Sequence, residues 1–348
     1  MKNLSHYLDR IEPADRGVAE RVQRRLDNQT KPQGSLGRLE ELCRLVATAQ
    51  GTDRPSCAKK VIFTLAGDHG VVEEGVSAYP QSVTSQMVMN FIAGGAGVNV
   101  LARHAGCDMV VVDMGVAAPV DHPGCVNRKV AHGTRNFTGG PAMTREEAER
   151  SIVTGIELAL EYDFDVLGTG DMGIGNTTPS SAIAAVMTGM DVEVLTGRGT
   201  GIDDKAFRNK ISAIRRGIEK NKPDPHDPVD VLRTVGGFEI GGIAGLIIGA
   251  AIKRRLAVVD GFISTAGAMI AAGLNRNVSD YFILSHLSAE HGHGSFAQYL
   301  KKRPFLDLGM RLGEGTGAVL AIELIDAALS LYDGMATFDE AGVDRKLD

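Results

Sequence analysis

The sequence predicts an α/β fold, an open and mostly parallel sheet flanked by helices, and three observations carry the prediction. Five short β-rich runs are nearly continuous in apolar residues, as strands covered on both faces are. They are VIFTLAGDHG (Val61 to Gly70), MVVVDMG (Met109 to Gly115), FDVLGTGDMG (Phe164 to Gly173), LAVVDGF (Leu256 to Phe262) and YFILSH (Tyr281 to His286). Helical stretches separate the runs, and each run ends on its carboxyl side in Asp, His, Gly or Ser, at the edge where open α/β sheets bind ligands.

Before the first run, Ala14 to Asn28 reads as an amphipathic helix, with Val18, Val22 and Leu26 at i, i+4 and i+8. TKPQGSLG (Thr30 to Gly37) stops it, and a second helix carries Leu39, Leu42, Leu45 and Val46 on one face. Between the runs, helices are expected at Pro80 to Ala93, Ala96 to His104, Thr144 to Tyr162, Asp203 to Lys220 and Phe238 to Arg254, and SAIAAVM (Ser181 to Met187) implies another. NKPDPHDPVD (Asn221 to Asp230), with three prolines, reads as a loop. A last helix, Thr316 to Tyr332, follows the turn RLGEGTGA, and the tail from Asp333 reads as polar and loosely held. The first two helices and the last one make a candidate helical subdomain.

Length and composition exclude several function classes. The 348 residues, 43% hydrophobic and 23% charged, allow one large or two unequal domains. A net charge of −6 argues against a nucleic-acid surface, which needs clustered Lys and Arg. Cys43, Cys57, Cys107 and Cys125 show no C-x-x-C spacing, so reduced thiols in a cytoplasmic protein are expected. The N-terminus has no apolar signal-peptide core. The longest apolar segment, Ile240 to Ile252, is about 13 residues against the roughly 20 that span a bilayer. Its Gly241, Gly245 and Gly249 read as places where a buried helix lies close to another element.

Chemistry concentrates in glycine-rich turns. DVLGTGDMGIGNTT (Asp165 to Thr178) reads as strand, tight turn and helix start. Gly168, Gly170, Gly173 and Gly175 permit positive φ, and Asn176, Thr177 and Thr178 are N-cap residue types. Exposed N–H groups at such a turn bind phosphate or carboxylate. TGRGTGID (Thr196 to Asp203) precedes a helix carrying Lys205 and Lys210, which also suits a phosphate monoester. Asp171 and Glu314 each sit inside a glycine turn, where partial desolvation raises a carboxyl pKa toward the range of a general base. No GxxxxGK[ST] is present, and the GxGxxG spacing of Gly168, Gly170 and Gly173 lacks the acid-ended strand of a dinucleotide site. His286, His291 and His293, with Asp68 and His69, form the one candidate metal cluster, but without HExxH spacing a metal is not expected. The residues alone leave open a phosphate-handling enzyme, a non-catalytic nucleotide-binding or regulatory protein, and a metal-dependent hydrolase.

Taken in order, TKPQGSLGRLE, AGDHGV with EEGVSAYP, GDMGIGNTTP, VGGFEI, DGF, SHLSAEHG and RLGEGTGA resemble the nicotinate-nucleotide:dimethylbenzimidazole phosphoribosyltransferases over nearly the whole chain. The resemblance implies a Rossmann-like sheet domain over 59–310 and a small helical domain built from 1–58. It assigns 311–348 to the catalytic turn and a C-terminal helix returning to that helical domain. It implies a cytoplasmic homodimer acting on small molecules, with no cofactor and no metal. The reaction it implies moves the ribose phosphate of nicotinate mononucleotide to a benzimidazole nitrogen, giving the α-riboside 5′-phosphate of the cobalamin lower ligand.

The same resemblance assigns roles. The glutamate of the GEG turn, the family's general base, is Glu314 here, and the second acid falls on Asp171, one methylene shorter than in some members. Phosphate and ribose contacts fall on Gly173, Gly175, Asn176, Thr177, Gly199, Lys210 and Ser288, and the aromatic base on Tyr79, Met87 and Leu312. Some members carry serine and glutamine where this chain has Tyr79 and Met87, so benzimidazole, adenine and phenolic acceptors stay unseparated.

Overall fold

The computed structural model describes residues 3–345. The expected end segments 1–58 and 311–348 extend past these limits, and Met1, Lys2, Lys346, Leu347 and Asp348 lie outside the described residues. The chain begins with helices α1 (Leu4–Leu8), α2 (Arg16–Asn28) and α3 (Arg38–Gln50), then strand β1 (Lys60–Gly67), helices α4 (Ser82–Ala93) and α5 (Gly97–Ala105) and strands β2 (Asp108–Gly115) and β3 (Cys125–Asn127). Helix α6 (Arg145–Glu161) leads to β4 (Val166–Met172), followed by α7 (Thr177–Thr188), α8 (Val192–Leu195), α9 (Asp204–Asn221), α10 (Pro228–Val235) and α11 (Phe238–Ile252). The rest is β5 (Leu256–Val259), α12 (Phe262–Leu274), β6 (Phe282–Leu284), α13 (His293–Tyr299), α14 (Thr316–Gly334) and α15 (Phe338–Ala341).

All neighbouring strands pair in parallel, in the order β3-β2-β1-β4-β5-β6. The chain order reverses between β1 and β4, so loops leaving these two strands splay apart and leave a crevice at their carboxyl ends. Successive β1 residues face opposite ways. A side chain on Gly242 of α11 would collide with Leu65, whereas Ile62 meets Gly168 and Gly315, and Thr64 bonds the Glu314 carbonyl. Helix α11 therefore covers one face and α14 the other. The glycines of α11 do serve close approach: a Cβ on Gly245 would lie 2.0 Å from the Ile152 carbonyl oxygen of α6.

At the chain ends, Val18, Val22 and Leu26 of α2 and Leu42 and Val46 of α3 are buried, as their spacing requires. α14 packs on α3, where Cys43 Sγ reaches the Ala328 carbonyl at 3.2 Å. Gln29 Nε2 donates to the Leu331 and Tyr332 carbonyls. The hydrophobic residues of these helices are continuous with the core around the sheet. Among the described residues, the tail from Asp333 is held near its start rather than loose. Thr30 N–H donates to the Ala336 carbonyl at 3.0 Å, and Gln29 bridges to Thr337 ahead of α15.

Several local expectations are corrected. The LAVVDGF run ends as a strand at Val259, and Phe262 opens α12, a buried helix with no polar face to mark it. The proline-rich loop ends earlier, because Pro228 occupies the first position of α10 and Asp227 caps it. β3, only three residues long and not fully buried, has no apolar run to announce it. Among the described residues no helix is long and apolar enough to cross a membrane, and the four cysteines are free.

Candidate active site

A cleft of about 580 Å³ opens at the carboxyl ends of the strands, in the crevice between β1 and β4. Its wall includes eleven of the twelve residues the sequence singled out: Asp171, Gly173, Gly175, Asn176, Thr177, Gly199, Ser288, Glu314, Tyr79, Met87 and Leu312. Lys210 is the exception. It lies behind the wall, fully buried, with Nζ donating to Thr177 Oγ1 at 2.7 Å and to the Gly197 carbonyl at 2.9 Å. Burial lowers its pKa to about 8. Tyr79 and Leu312 are 54% and 60% exposed at the cleft mouth.

The glycines of the Asp165–Thr178 stretch divide into two kinds. Gly168 and Gly170 lie in β4 and not in the turn. A Cβ on Gly170 would sit 2.1 Å from the Glu314 carbonyl oxygen, so that position is bare because the last turn lies directly on the strand, whereas a Cβ on Gly168 would meet Ile62 Cδ1 at 2.5 Å and Ala318 of α14 at 3.1 Å. Gly175 has φ +86°, and a Cβ on Gly173 would meet the Gly67 carbonyl oxygen at 2.3 Å. Asn176 adopts helical φ/ψ and does not cap α7 with its side chain; its Nδ2 donates to Asp171 Oδ2 at 3.0 Å. The N–H groups of Gly175 and Thr177 have no acceptor among the described residues, and with the start of α7 they line a concavity of the kind that suits an anion.

Glu314 is held by its backbone and by a second helix. Gly313, Glu314 and Gly315 all have positive φ, and Glu314, at +67°, is one of four non-glycine residues so placed among those described. A β-carbon in that region is strained by about 1–2 kcal/mol. The strained turn delivers the buried carboxylate to the start of α5, where Val98 N–H donates to Oε2 at 3.2 Å; Oε1 has no protein partner among the described residues. A Cβ on Gly97 would crowd Leu312 Cδ2 at 3.0 Å and only touch Oε2, at 3.5 Å. Burial raises the Glu314 pKa, opposed by the Val98 N–H and reinforced by Asp260. Asp171 is raised well above the ordinary carboxylate value, first by burial, then by Asp260 and Glu239. Its Oδ1 is buried without a partner. Two carboxyls therefore flank the cleft, one with its pKa pushed up by burial and like charges and one held by a backbone N–H.

Other residues were legible only as parts of motifs. Asp260, at the end of β5, accepts from Gly315 N at 3.2 Å and Ala318 N at 3.0 Å, tying the Glu314 turn and α14 to the sheet. The signal was there in the acid ending the LAVVD run. His69 and Glu239 form a fully buried pair, Nε2 to Oε1 at 2.8 Å, beneath Gly173. Burial opposes protonation of His69, yet Glu239 and Asp68 outweigh it and raise its pKa. The histidine cluster does not converge. His293 accepts from Ser288 N–H at Nδ1 and meets Thr265 Oγ1 through Nε2, while His291 is exposed. Burial lowers the His293 pKa to about 3. Among the described residues no group of three or more His, Cys, Asp or Glu is arranged to hold a metal.

A family model described as phosphoribosyltransferase matches residues 11–343. The chain is 54% identical over 347 residues, 99% of both chains, to the nicotinate-nucleotide--dimethylbenzimidazole phosphoribosyltransferase of Geobacter sulfurreducens. It is 51% identical over 349 residues, again 99% of both, to the enzyme of the same name from Chlorobaculum tepidum. The crystal structure of CobT from Thermus thermophilus superimposes with a TM-score of 0.91 at 44% identity, covering 95% of this chain and 100% of that one. With the fold, the length and the sequence matched from end to end, the chain belongs to this family of phosphoribosyltransferases, pentosyl-transferring enzymes.

Proposed function

We propose that this enzyme transfers the phosphoribosyl group of nicotinate mononucleotide to 5,6-dimethylbenzimidazole or a related lower-ligand base in cobalamin assembly, with Glu314 as general base. The observation that carries the reading is the Glu314 carboxylate, fixed through one oxygen by Val98 N–H and facing the same cleft as the Gly173–Thr177 concavity. The concavity, with Lys210 behind it, receives the 5′-phosphate. An azole nitrogen attacks C1′ on the face opposite the departing pyridine, which inverts the β-riboside to α. As that bond forms, the azole's other nitrogen loses its proton to Glu314 Oε1, so no cationic product accumulates. The C1′–N bond breaks with its electron pair on the pyridine nitrogen, and nicotinate leaves with a neutral ring. Asp171, its pKa raised by burial, supports the site by holding Asn176.

Tyr79, Met87 and Leu312 are the proposed walls for the acceptor ring. The proposal includes a cytoplasmic homodimer, supported by the exposed apolar faces of Tyr79 and Leu312 at the cleft mouth. It also treats α2, α3 and α14 as a helical subdomain. Incubating the protein with nicotinate mononucleotide and a panel of azoles and phenols, then separating products, tests the central claim. An α-riboside 5′-phosphate with at least one acceptor is expected; none with any acceptor refutes it. Light scattering that reports a monomer removes the dimer.

A further inference from the structure

The phosphate end of the cleft carries an anion of the protein's own. Gly199, whose N–H is one of the expected phosphate donors, gives that N–H to Glu290 Oε1 at 2.8 Å. The contact depends on bare backbone, because a Cβ on Gly197 would lie 2.2 Å from the same carboxylate oxygen. Gly199 and Gly201 have φ of +51° and +90°, which lets the loop fold over this carboxylate. Glu290 is buried, and its own N–H donates to Ser288 Oγ at 3.2 Å, another expected phosphate contact. Lys210, just behind, is met by two neutral acceptors, Thr177 Oγ1 and the Gly197 carbonyl, and Glu290 is the negative group acting on it. A carboxylate on a loop N–H beside a buried ammonium presents the charge that a phosphate monoester would bring.

We infer that Glu290 is a place-holder in the phosphate subsite, competing with the nucleotide's 5′-phosphate for the Gly199 N–H and turning aside when phosphate enters. This rests on the nucleotide reading above. The side chain has somewhere to go. A second cleft of about 570 Å³ shares Gly199, Glu290 and Arg311 with the first, so Glu290 forms part of the wall between two spaces. Arg311, which donates Nη1 to the Gly199 carbonyl at 3.1 Å, lines both clefts and is the cation that can receive the displaced carboxylate. Because substrate and product both carry the phosphate, the competition weakens both and speeds product departure. It leaves the bond-making step at Glu314 alone.

The test is Glu290→Gln, which keeps the shape and removes the charge, with inorganic phosphate and nicotinate mononucleotide as separate probes in calorimetry and steady-state kinetics. Phosphate should bind about tenfold tighter, KM for the mononucleotide should fall, and kcat should fall or hold as product leaves more slowly. Gly197→Ala, which forces the carboxylate off the loop without deleting it, should tighten phosphate in the same direction and covers the case in which the glutamine variant misfolds. Weaker or unchanged phosphate binding in both variants overturns the inference. So does a loss confined to the mononucleotide, which would make Glu290 a ribose contact. If wild type binds neither probe, the nucleotide reading fails and this inference with it; if wild type binds both and the variants do not bind phosphate more tightly, only the role of Glu290 is lost.

Discussion

Replacing Glu314 by glutamine isolates proton transfer from placement. The amide oxygen can still accept from Val98 N–H at the 3.2 Å position of Oε2, and the turn keeps its three positive φ values, so the side chain stays where it is. What is lost is the basic oxygen, Oε1, facing the cleft. A positioned general base is worth about 10²–10⁴ in rate, or roughly 2.7–5.4 kcal/mol of barrier. Turnover should fall by that factor. KM for the mononucleotide should change less than about threefold, because the carboxylate is assigned no ground-state contact with the phosphate. Stability should hold or rise by up to about 1 kcal/mol, since a buried carboxyl with a raised pKa is replaced by a neutral group of the same shape. The assay is chromatographic separation of the riboside phosphate under saturating substrates, alongside a thermal melt. A glutamine variant that keeps a tenth or more of wild-type turnover, with an unchanged melt, refutes the assignment of the base.

Three further outcomes follow from the same geometry. Gly170→Ala adds a Cβ 2.1 Å from the Glu314 carbonyl oxygen, so it should cost about 1–3 kcal/mol of stability and about 100-fold in turnover by shifting the turn, although no functional side chain changes; paired melts and rates check it. Asp171 has a folded pKa well above its unfolded value, so the folded protein holds a proton the unfolded chain releases, and stability falls as pH rises between those two values. Asp171→Asn should flatten that dependence, raising the melting temperature at pH 8 more than at pH 5. Lys210, with a pKa of about 8, should lose its charge above that pH in the free enzyme, so kcat/KM for the mononucleotide should decline through about pH 8, and Lys210→Met should show a low value without that step.

The sheet was legible because buried parallel strands leave unbroken apolar runs, and the polar residues closing those runs marked the edge on which the cleft opens. Where that signal fails, the fold hides. β3 contributes only Cys125 to Asn127 at a partly exposed edge. α12 is apolar all round, so Phe262 to Leu274 has no 3.6-residue alternation to distinguish it from the strand before it. Pro228 reads as loop until Asp227 is seen capping it. Within the cleft, Glu314 was legible from its flanking glycines. What the sequence misassigned were Gly168 and Gly170: Gly170 is bare for the Glu314 turn, about 145 residues away, and Gly168 for Ile62 of β1 and Ala318 of α14. Asn176 does hold the N-cap position of α7, but its side chain bonds Asp171 and not the helix's first N–H groups. The roles of the two glycines depend on contacts between distant segments, which no local pattern encodes.

The anchoring of α14 by Asp260 has a mechanical consequence. The helix runs for 19 residues, about 28 Å, from the Glu314 turn at one end to α2 and α3 at the other. Because α14 also packs along its length on α5 and the central strands, the Glu314 turn is carried on a helix braced by both the sheet and the chain's opening helices.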